Sequence, residues 1–245
     1  MRDQVEIYNI PKFTEHFEHK HPKIINDHLA EIEEFARVSW QIMPGTHPRH
    51  LIHVYPFVQS LHTEVLGPLH VLLAIALELP EDYFTTRHKY EVKSEDYLRY
   101  MKYTKYTPEE YVKIGELVSL GHTDLGSWTL LFRQPVAGLQ IKDHSSGEWK
   151  WVKPQDATLT VNACDSLSLL TANYVKSTIH RVAVPPKDQQ HVDRLGLIYF
   201  ARPRNDIKLS VITESPVLRR EGFTQNQFDA TGNPVPTAEG TKSRL

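Results

Sequence analysis

The residues best suited to catalysis are two histidines and one aspartate, His122, Asp124 and His180, followed along the chain by Arg194. Two imidazoles and one carboxylate can hold one Fe(II) ion by three protein ligands, while its other coordination positions stay open to a cosubstrate and O2. A guanidinium beside such a centre can bind a carboxylate through two hydrogen bonds, so Arg194 would suit a dicarboxylate cosubstrate. If these side chains meet in space, they predict an oxygen-activating enzyme.

The single residue between His122 and Asp124 is informative only in an extended segment. Side chains alternate along a strand, so these two would project to one side, about 7 Å apart at their backbones, and could converge on one ion. His180 lies in a separate strand-like pattern, residues 176–182, and would supply the third ligand from another strand. With 14 histidines in the chain, a histidine and an aspartate two positions apart also occur by chance. The spacing alone is therefore weak evidence of a metal site.

The elements that must position these residues change character along the chain. In the first part the hydrophobic spacing is helical, with one helix predicted over 24–40 and a second over 51–79 that is kinked at Gly67 and Pro68. From Tyr97 on, short runs rich in β-branched and aromatic residues alternate with turns. The predicted strands are 98–103, 128–132, 139–142, 148–152, 158–162, 178–184 and 195–201. Because strands and helices do not alternate, an antiparallel sandwich or barrel is favoured.

Length and composition limit the architecture. The chain has 245 residues, of which 40% are hydrophobic, so it can bury one sizeable core, and we expect a single domain over residues 1–245. Within it we expect a helical N-terminal part at 1–96 and a strand-rich core at 97–205. The remaining C-terminal extension, 206–245, should end in a loosely ordered tail.

Charge and hydropathy argue against two classes of partner. Lys plus Arg number 28 and Asp plus Glu 30, a net charge of -2, so no large basic surface for nucleic acid is expected. The longest apolar run, residues 71–77, is far shorter than the roughly 20 residues that cross a bilayer, and the first residues do not have the pattern of a targeting segment. The single cysteine, Cys164, excludes an intramolecular disulfide. We therefore expect a cytoplasmic protein without membrane or nucleic-acid partners.

Four stretches around the candidate residues carry a family resemblance. They are GHTDLGSWTLLF at 121–132, VAGLQ at 136–140, VNACD at 161–165 and KSTIHRV at 176–182. Together they closely resemble the Fe(II)- and 2-oxoglutarate-dependent dioxygenases of the isopenicillin N synthase-like family. The similarity extends more loosely from about residue 50 to residue 203.

The resemblance implies a mainly β fold, a double-stranded β-helix or jelly roll, with α-helices packed on its N-terminal side. It places His122, Asp124 and His180 at the iron-ligand positions. Arg194 takes the position of the arginine that pairs with the distal carboxylate of 2-oxoglutarate, and Tyr103 that of a tyrosine bonded to the same cosubstrate. The activity implied is oxidation of a small organic molecule of secondary metabolism, by hydroxylation, desaturation or ring closure, with 2-oxoglutarate and O2 as cosubstrates.

Two departures from the family keep alternatives open. Gly196 stands where the family has serine, so one hydroxyl donor to the cosubstrate carboxylate is missing; since a neutral hydrogen bond contributes about 0.5 to 1.5 kcal/mol, cosubstrate binding should weaken but survive. The chain is also expected to be short at its N-terminus relative to the family, by several tens of residues. The alternatives are an Fe(II) oxidase that needs no 2-oxoglutarate, and a non-catalytic or inactive truncated jelly-roll binding protein. A zinc hydrolase using the same three ligands is a poorer candidate.

Overall fold

The computed structural model describes residues 5–12, 22–28, 58–115 and 117–225. Its strands are β1 (Val5–Pro11), β2 (Tyr97–Tyr103), β3 (Leu117–His122), β4 (Trp128–Phe132), β5 (Leu139–Lys142), β6 (Trp149–Trp151), β7 (Leu159–Ala163), β8 (His180–Ala183) and β9 (Arg194–Ala201). Its α-helices are α1 (Lys23–Asp27), α2 (Gly67–Ala76), α3 (Pro108–Ile114), α4 (Asp165–Leu170) and α5 (Pro216–Arg220).

The strands form two antiparallel sheets. The large sheet has the order β1-β2-β9-β4-β7 and the small sheet the order β3-β8-β5-β6. Strands that are distant in sequence, such as β2 and β9, are neighbours in the large sheet, where Tyr103 pairs with Arg194 and Tyr97 with Phe200. This crossing of connections between two sheets is the arrangement of a jelly roll.

All seven predicted strands are present, with small shifts at their ends, and two more strands occur that the sequence did not predict. The first, β1, lies in the N-terminal part that was expected to be helical; it is an edge strand that pairs with β2, and it ends at Pro11, where an edge tolerates the missing N–H. The second, β3, pairs irregularly with β8, with register shifts on both sides of Ser119. The prediction sought short runs rich in β-branched and aromatic residues after Tyr97; β1 precedes that point, and β3 contains one β-branched and no aromatic residue.

The two helices predicted for the first part are present where the structure describes their residues. Of the helix predicted over 24–40, α1 covers the beginning, and residues 29–40 lie outside the described ranges. The second predicted helix contains a π-helical segment, Leu61–Leu66, that continues into α2 at Gly67. Pro68 cannot donate a backbone hydrogen bond, and the change of helix type occurs beside it, where the kink was predicted. No helix in the described ranges is long and apolar enough to cross a membrane.

Two apolar clusters pack helices against the outer face of the large sheet. In the first, Leu61 and Leu66 contact a sheet face formed by Leu98, Leu130 and Tyr199. In the second cluster α2 packs on α4 and on the C-terminal extension; its buried residues are Ala74, Leu77, Leu79, Phe84, Leu167, Leu170, Leu209, Ile212 and Leu218. Because side chains alternate along a strand, the other face of the large sheet is directed toward the small sheet. The expected loose tail falls on residues 226–245, outside the described ranges.

A buried polar network lies under the first cluster. His62 Nδ1 is 3.0 Å from the Tyr199 hydroxyl, and that hydroxyl is 3.4 Å from an oxygen of Asp96. His88 bonds through Nδ1 to the carbonyl of Phe84 at 2.8 Å and through Nε2 to the Ser127 hydroxyl at 2.7 Å. Burial lowers the pKa of His88 to about 4. This histidine is therefore neutral in the folded protein at pH 7.

Candidate active site

His122 and His180 are neighbours on adjacent strands of the small sheet. His122 is the last residue of β3 and pairs with His180, the first residue of β8. Between Ser119 and His122 the strand contains an extra residue relative to β8, and such bulges redirect side chains beside active sites. Gly121 lies in this irregular part, where a Cβ atom would be 2.9 Å from the indole ring of Trp149. Only glycine therefore fits beside His122 without displacing that ring.

The three predicted ligands converge. Asp124 follows the end of β3 by two residues, and its Oδ1 lies 3.9 Å from His122 Nε2. Its Oδ2 lies 3.6 Å from His180 Nε2, and the two imidazole centroids are 4.4 Å apart. One ligand atom from each residue lies within 4.8 Å of the others. The extended segment that the spacing required is present as far as His122, and the following residues bring the carboxylate back between the two rings.

Backbone carbonyls select the tautomer of both neutral imidazoles. Nδ1 of His122 is 2.9 Å from the carbonyl oxygen of Leu120, and Nδ1 of His180 is 3.1 Å from that of Thr178. Since a carbonyl only accepts, each Nδ1 carries the proton and each Nε2 presents its lone pair. Both lone pairs lie on the side of the Asp124 carboxylate, as metal ligands oriented by outer hydrogen bonds do. The donor set therefore fits a divalent metal ion such as Fe(II).

The carboxylate of Asp124 is held by a residue for which the sequence suggested no role. Asn162, on β7 of the large sheet, donates from Nδ2 to Asp124 Oδ2 at 3.2 Å. The backbone of Asp124 is fixed as well, because its carbonyl accepts from the N–H of Asp165 at 3.0 Å. The signal for Asn162 was its place in the VNACD stretch of the family resemblance. It connects the large sheet to the segment that follows β3 at the candidate metal site.

Arg194 and Tyr103 lie together between the two sheets. They are register partners on β9 and β2, and the guanidinium carbon is 5.0 Å from the centroid of the tyrosine ring. Burial raises the pKa of Tyr103, and the charge of Arg194 opposes that rise. Both residues line an open cleft of about 300 Å³ together with Val118 of β3 and Val182 of β8. Val182 lies two residues beyond His180, on the same side of the strand, so this cleft continues from the candidate metal ligands.

Residues 86–203 match the family model of the 2OG-Fe(II) oxygenase superfamily. The chain contains a 2OG-Fe(II) oxygenase domain. The matched segment includes all five predicted site residues, and it confirms at superfamily level the family that the sequence stretches indicated.

Three fungal proteins are similar to this chain. The chain is 28% identical over 203 residues to the 2-oxoglutarate-dependent dioxygenase frbH of Dothideomycetidae sp., covering 82% of this chain and 60% of the relative. It is 34% identical over 112 residues to the 2-oxoglutarate-dependent dioxygenase citB of Monascus ruber, covering 46% and 33%. It is 28% identical over 195 residues to the clavatol oxidase claD of Penicillium crustosum, covering 80% and 55%. The chain thus spans between 33% and 60% of the length of these relatives.

Solved structures confirm the fold of the oxygenase domain. A full-length Neurospora crassa protein in complex with alpha-KG superposes with a TM-score of 0.69 at 23% identity, covering 100% of this chain and 70% of that one. The protein JOX2, solved with 2OG, Fe and JA, superposes with a TM-score of 0.63 at 21% identity, covering 98% and 60%. The predicted jelly roll is therefore correct.

Proposed function

We propose that this protein is an Fe(II)- and 2-oxoglutarate-dependent dioxygenase that oxidises a small organic molecule of secondary metabolism. The observation that carries the proposal is the convergence of two imidazole Nε2 atoms and one carboxylate, with both Nδ1 atoms engaged by backbone carbonyls. This is a ligand set that leaves coordination positions open, as O2 activation requires. In this proposal residues 97–205 form the catalytic core of a single domain.

Each site residue has a role in the proposal. His122, Asp124 and His180 would hold the iron. Arg194 would pair with the distal carboxylate of 2-oxoglutarate, and the Tyr103 hydroxyl would donate to the same cosubstrate. When bound, the iron and 2-oxoglutarate together supply O2 activation through oxidative decarboxylation of the cosubstrate, and the protein supplies orientation and excludes side reactions.

The substrate class is supported by the relatives. Two similar fungal proteins are named a clavatol oxidase and a proline hydroxylase, and both names specify a small molecule. The net charge of -2 offers no support for a polyanionic substrate. A small organic molecule entering the space between the sheets is therefore the substrate that we propose.

A second candidate, an Fe(II) oxidase that does not use 2-oxoglutarate, follows from Gly196 at the family's serine position. The two candidates differ in their need for the cosubstrate. In an enzyme that uses 2-oxoglutarate, Arg194 binds the cosubstrate's carboxylate. In an oxidase that does not use it, the buried charge of Arg194 would have no bound anion as a partner.

The test is an anaerobic reconstitution with Fe(II), followed by O2 and a panel of small phenolic and amino-acid substrates, with O2 consumption and succinate release both measured. We expect succinate formation that requires 2-oxoglutarate and disappears in Asp124→Ala, in which the carboxylate ligand is removed. Substrate oxidation without 2-oxoglutarate would favour the second candidate. The proposal fails if the iron-loaded protein neither binds 2-oxoglutarate nor produces succinate with any substrate.

A further inference from the structure

The side chain that Gly196 lacks is replaced in space by Gln134. A Cβ atom built at Gly196 would lie 2.5 Å from Nε2 of Gln134, so a serine side chain here would displace this carboxamide from its position. Gln134 follows β4 by two residues and is 9% exposed. The position of the family's hydroxyl is thus taken by an amide from the segment that follows β4, the neighbour of β9 in the same sheet.

Gln134 holds Arg194 in place. Its Oε1 accepts a hydrogen bond from Nη2 of Arg194, and its Nε2 donates to the carbonyl of Leu195 at 3.1 Å. These two partners fix the orientation of the amide, since the reverse orientation would direct its NH2 group at the guanidinium. An amide nitrogen carries two N–H donors, and the bond to Leu195 uses one of them. The other is a donor next to Arg194.

The guanidinium of Arg194 has the environment of an anion site. Arg194 is 5% exposed, and its Nε is buried without a hydrogen-bond partner. Among the described residues no carboxylate forms an ion pair with it. Gly138 lies against it, where a Cβ would be 3.0 Å from Nε. A buried cation without a counter-charge is costly, so a bound anion would stabilise this arrangement.

We propose that Gln134 takes the part of the hydroxyl missing at Gly196. It positions Arg194 through Oε1, and it gives its second Nε2 N–H to the same distal carboxylate of 2-oxoglutarate. Gln134 is thereby a cosubstrate-binding residue of this chain. The inference rests on the proposed function for the identity of the anion, and the contacts among Gln134, Arg194 and Gly196 stand independently of it.

A double-mutant cycle at positions 134 and 196 tests the proposal. The full chain, loaded with Mn(II) as a redox-inert ion, is titrated with 2-oxoglutarate by calorimetry. We expect Gln134→Ala to raise the Kd about tenfold, as for loss of a hydrogen bond to a charged group. Gly196→Ser alone should also weaken binding, because the new side chain meets Gln134. The double variant, with the serine restored and its obstacle removed, should bind within about threefold of the wild type.

Gln134→Glu separates a cosubstrate-binding role from a packing role. The carboxylate gives Arg194 an ionic partner, so the melting temperature should rise, while 2-oxoglutarate binding should be lost through repulsion between anions. A packing residue would change stability and binding in the same direction. Gln140→Ala is the matched control, because Gln140 is another buried glutamine that accepts from an arginine, Nε of Arg181 at 2.7 Å, and it lies on β5 of the small sheet rather than beside Arg194.

The outcomes separate a failure of the Gln134 proposal from a failure of the proposed function. The inference is overturned if Gln134→Ala binds 2-oxoglutarate as tightly as the wild type, or if the double variant binds no better than Gln134→Ala. If the wild type binds Mn(II) but no 2-oxoglutarate, the proposed function itself fails. If the wild type binds both and only the cycle fails, the proposed function stands without Gln134.

Discussion

Acidification should destabilise the folded protein through His88 before the carboxylates titrate. Burial lowers the pKa of this histidine from 6.5 to about 4, and the contribution from Asp96, which acts to raise it, is smaller. As the pH falls, His88 therefore binds a proton near pH 6.5 in the unfolded chain but only near pH 4 in the folded chain. The contribution of neutral His88 is fully present above pH 6.5 and is lost as pH falls toward 4. The difference of 2.5 pKa units corresponds to about 3 kcal/mol, at about 1.36 kcal/mol per unit.

His70 acts in the same direction. It packs against His88 with ring centroids 4.2 Å apart, and burial lowers its pKa further than that of His88. Two neutral histidines should thus give a slope of up to about 2.7 kcal/mol per pH unit between pH 6 and pH 4.

Urea unfolding of the metal-free protein between pH 4 and pH 7.5 measures this effect. Metal-free protein is required because metal binding is itself pH-dependent and would add to the stability of the folded state. We expect His88→Gln to be less stable at pH 7, because Ser127 and Phe84 lose their partner, but to show a pH slope smaller by about one proton. His144→Gln, in an exposed turn, should keep the wild-type slope. An unchanged slope in His88→Gln would refute the assignment of a neutral buried histidine.

Four further changes probe the site and the core. Arg194→Lys should raise the Kd for 2-oxoglutarate at least tenfold by calorimetry, because an ammonium cannot form the paired hydrogen bonds of a guanidinium; equal affinity would contradict the proposed role. Asn162→Ala should weaken metal binding by about 10-fold in a competition titration, since the Asp124 carboxylate loses its orienting donor; unchanged affinity would remove Asn162 from the site. Leu130→Ala, at a fully buried position, should lower the free energy of unfolding by about 2 to 5 kcal/mol while metal affinity is retained. Gly126→Ala should lower it by more than about 1 kcal/mol, because φ is +109° and a Cβ would lie 2.7 Å from the carbonyl oxygen of Ala201; a neutral result would show that the turn can shift.

Much of the fold could be predicted because its central strands follow simple rules. Strands such as β4 and β9 are short runs rich in apolar and aromatic residues, and their bounds were predicted almost to the residue. Strand β3 could not be predicted, because it has one β-branched and no aromatic residue, its pairing is irregular, and Gly121 leaves room for the Trp149 ring. Edge strand β1 depends on its pairing with β2, far away in sequence.

Part of the candidate site could be predicted from the sequence, and part could not. The metal triad and Arg194 could be named because short stretches around them resemble the family, and the spacing alone would not have sufficed. The contacts of Gln134 and Asn162 could not be predicted. Gln134 meets Arg194 across 60 positions of sequence, and Asn162 meets Asp124 across 38, so both contacts exist only once the sheets have closed. The sequence indicated that Gly196 removes a donor, and the structure shows which side chain occupies its space.

A two-step titration decides whether His122, Asp124 and His180 form an iron centre that binds 2-oxoglutarate. Wild-type protein and Asp124→Ala are titrated anaerobically by calorimetry, first with Fe(II) and then with 2-oxoglutarate. We expect one Fe(II) per chain, 2-oxoglutarate binding that depends on that iron, and loss of both in the variant. Equal Fe(II) binding by the two proteins, or an iron-loaded wild type that does not bind 2-oxoglutarate, would contradict this expectation.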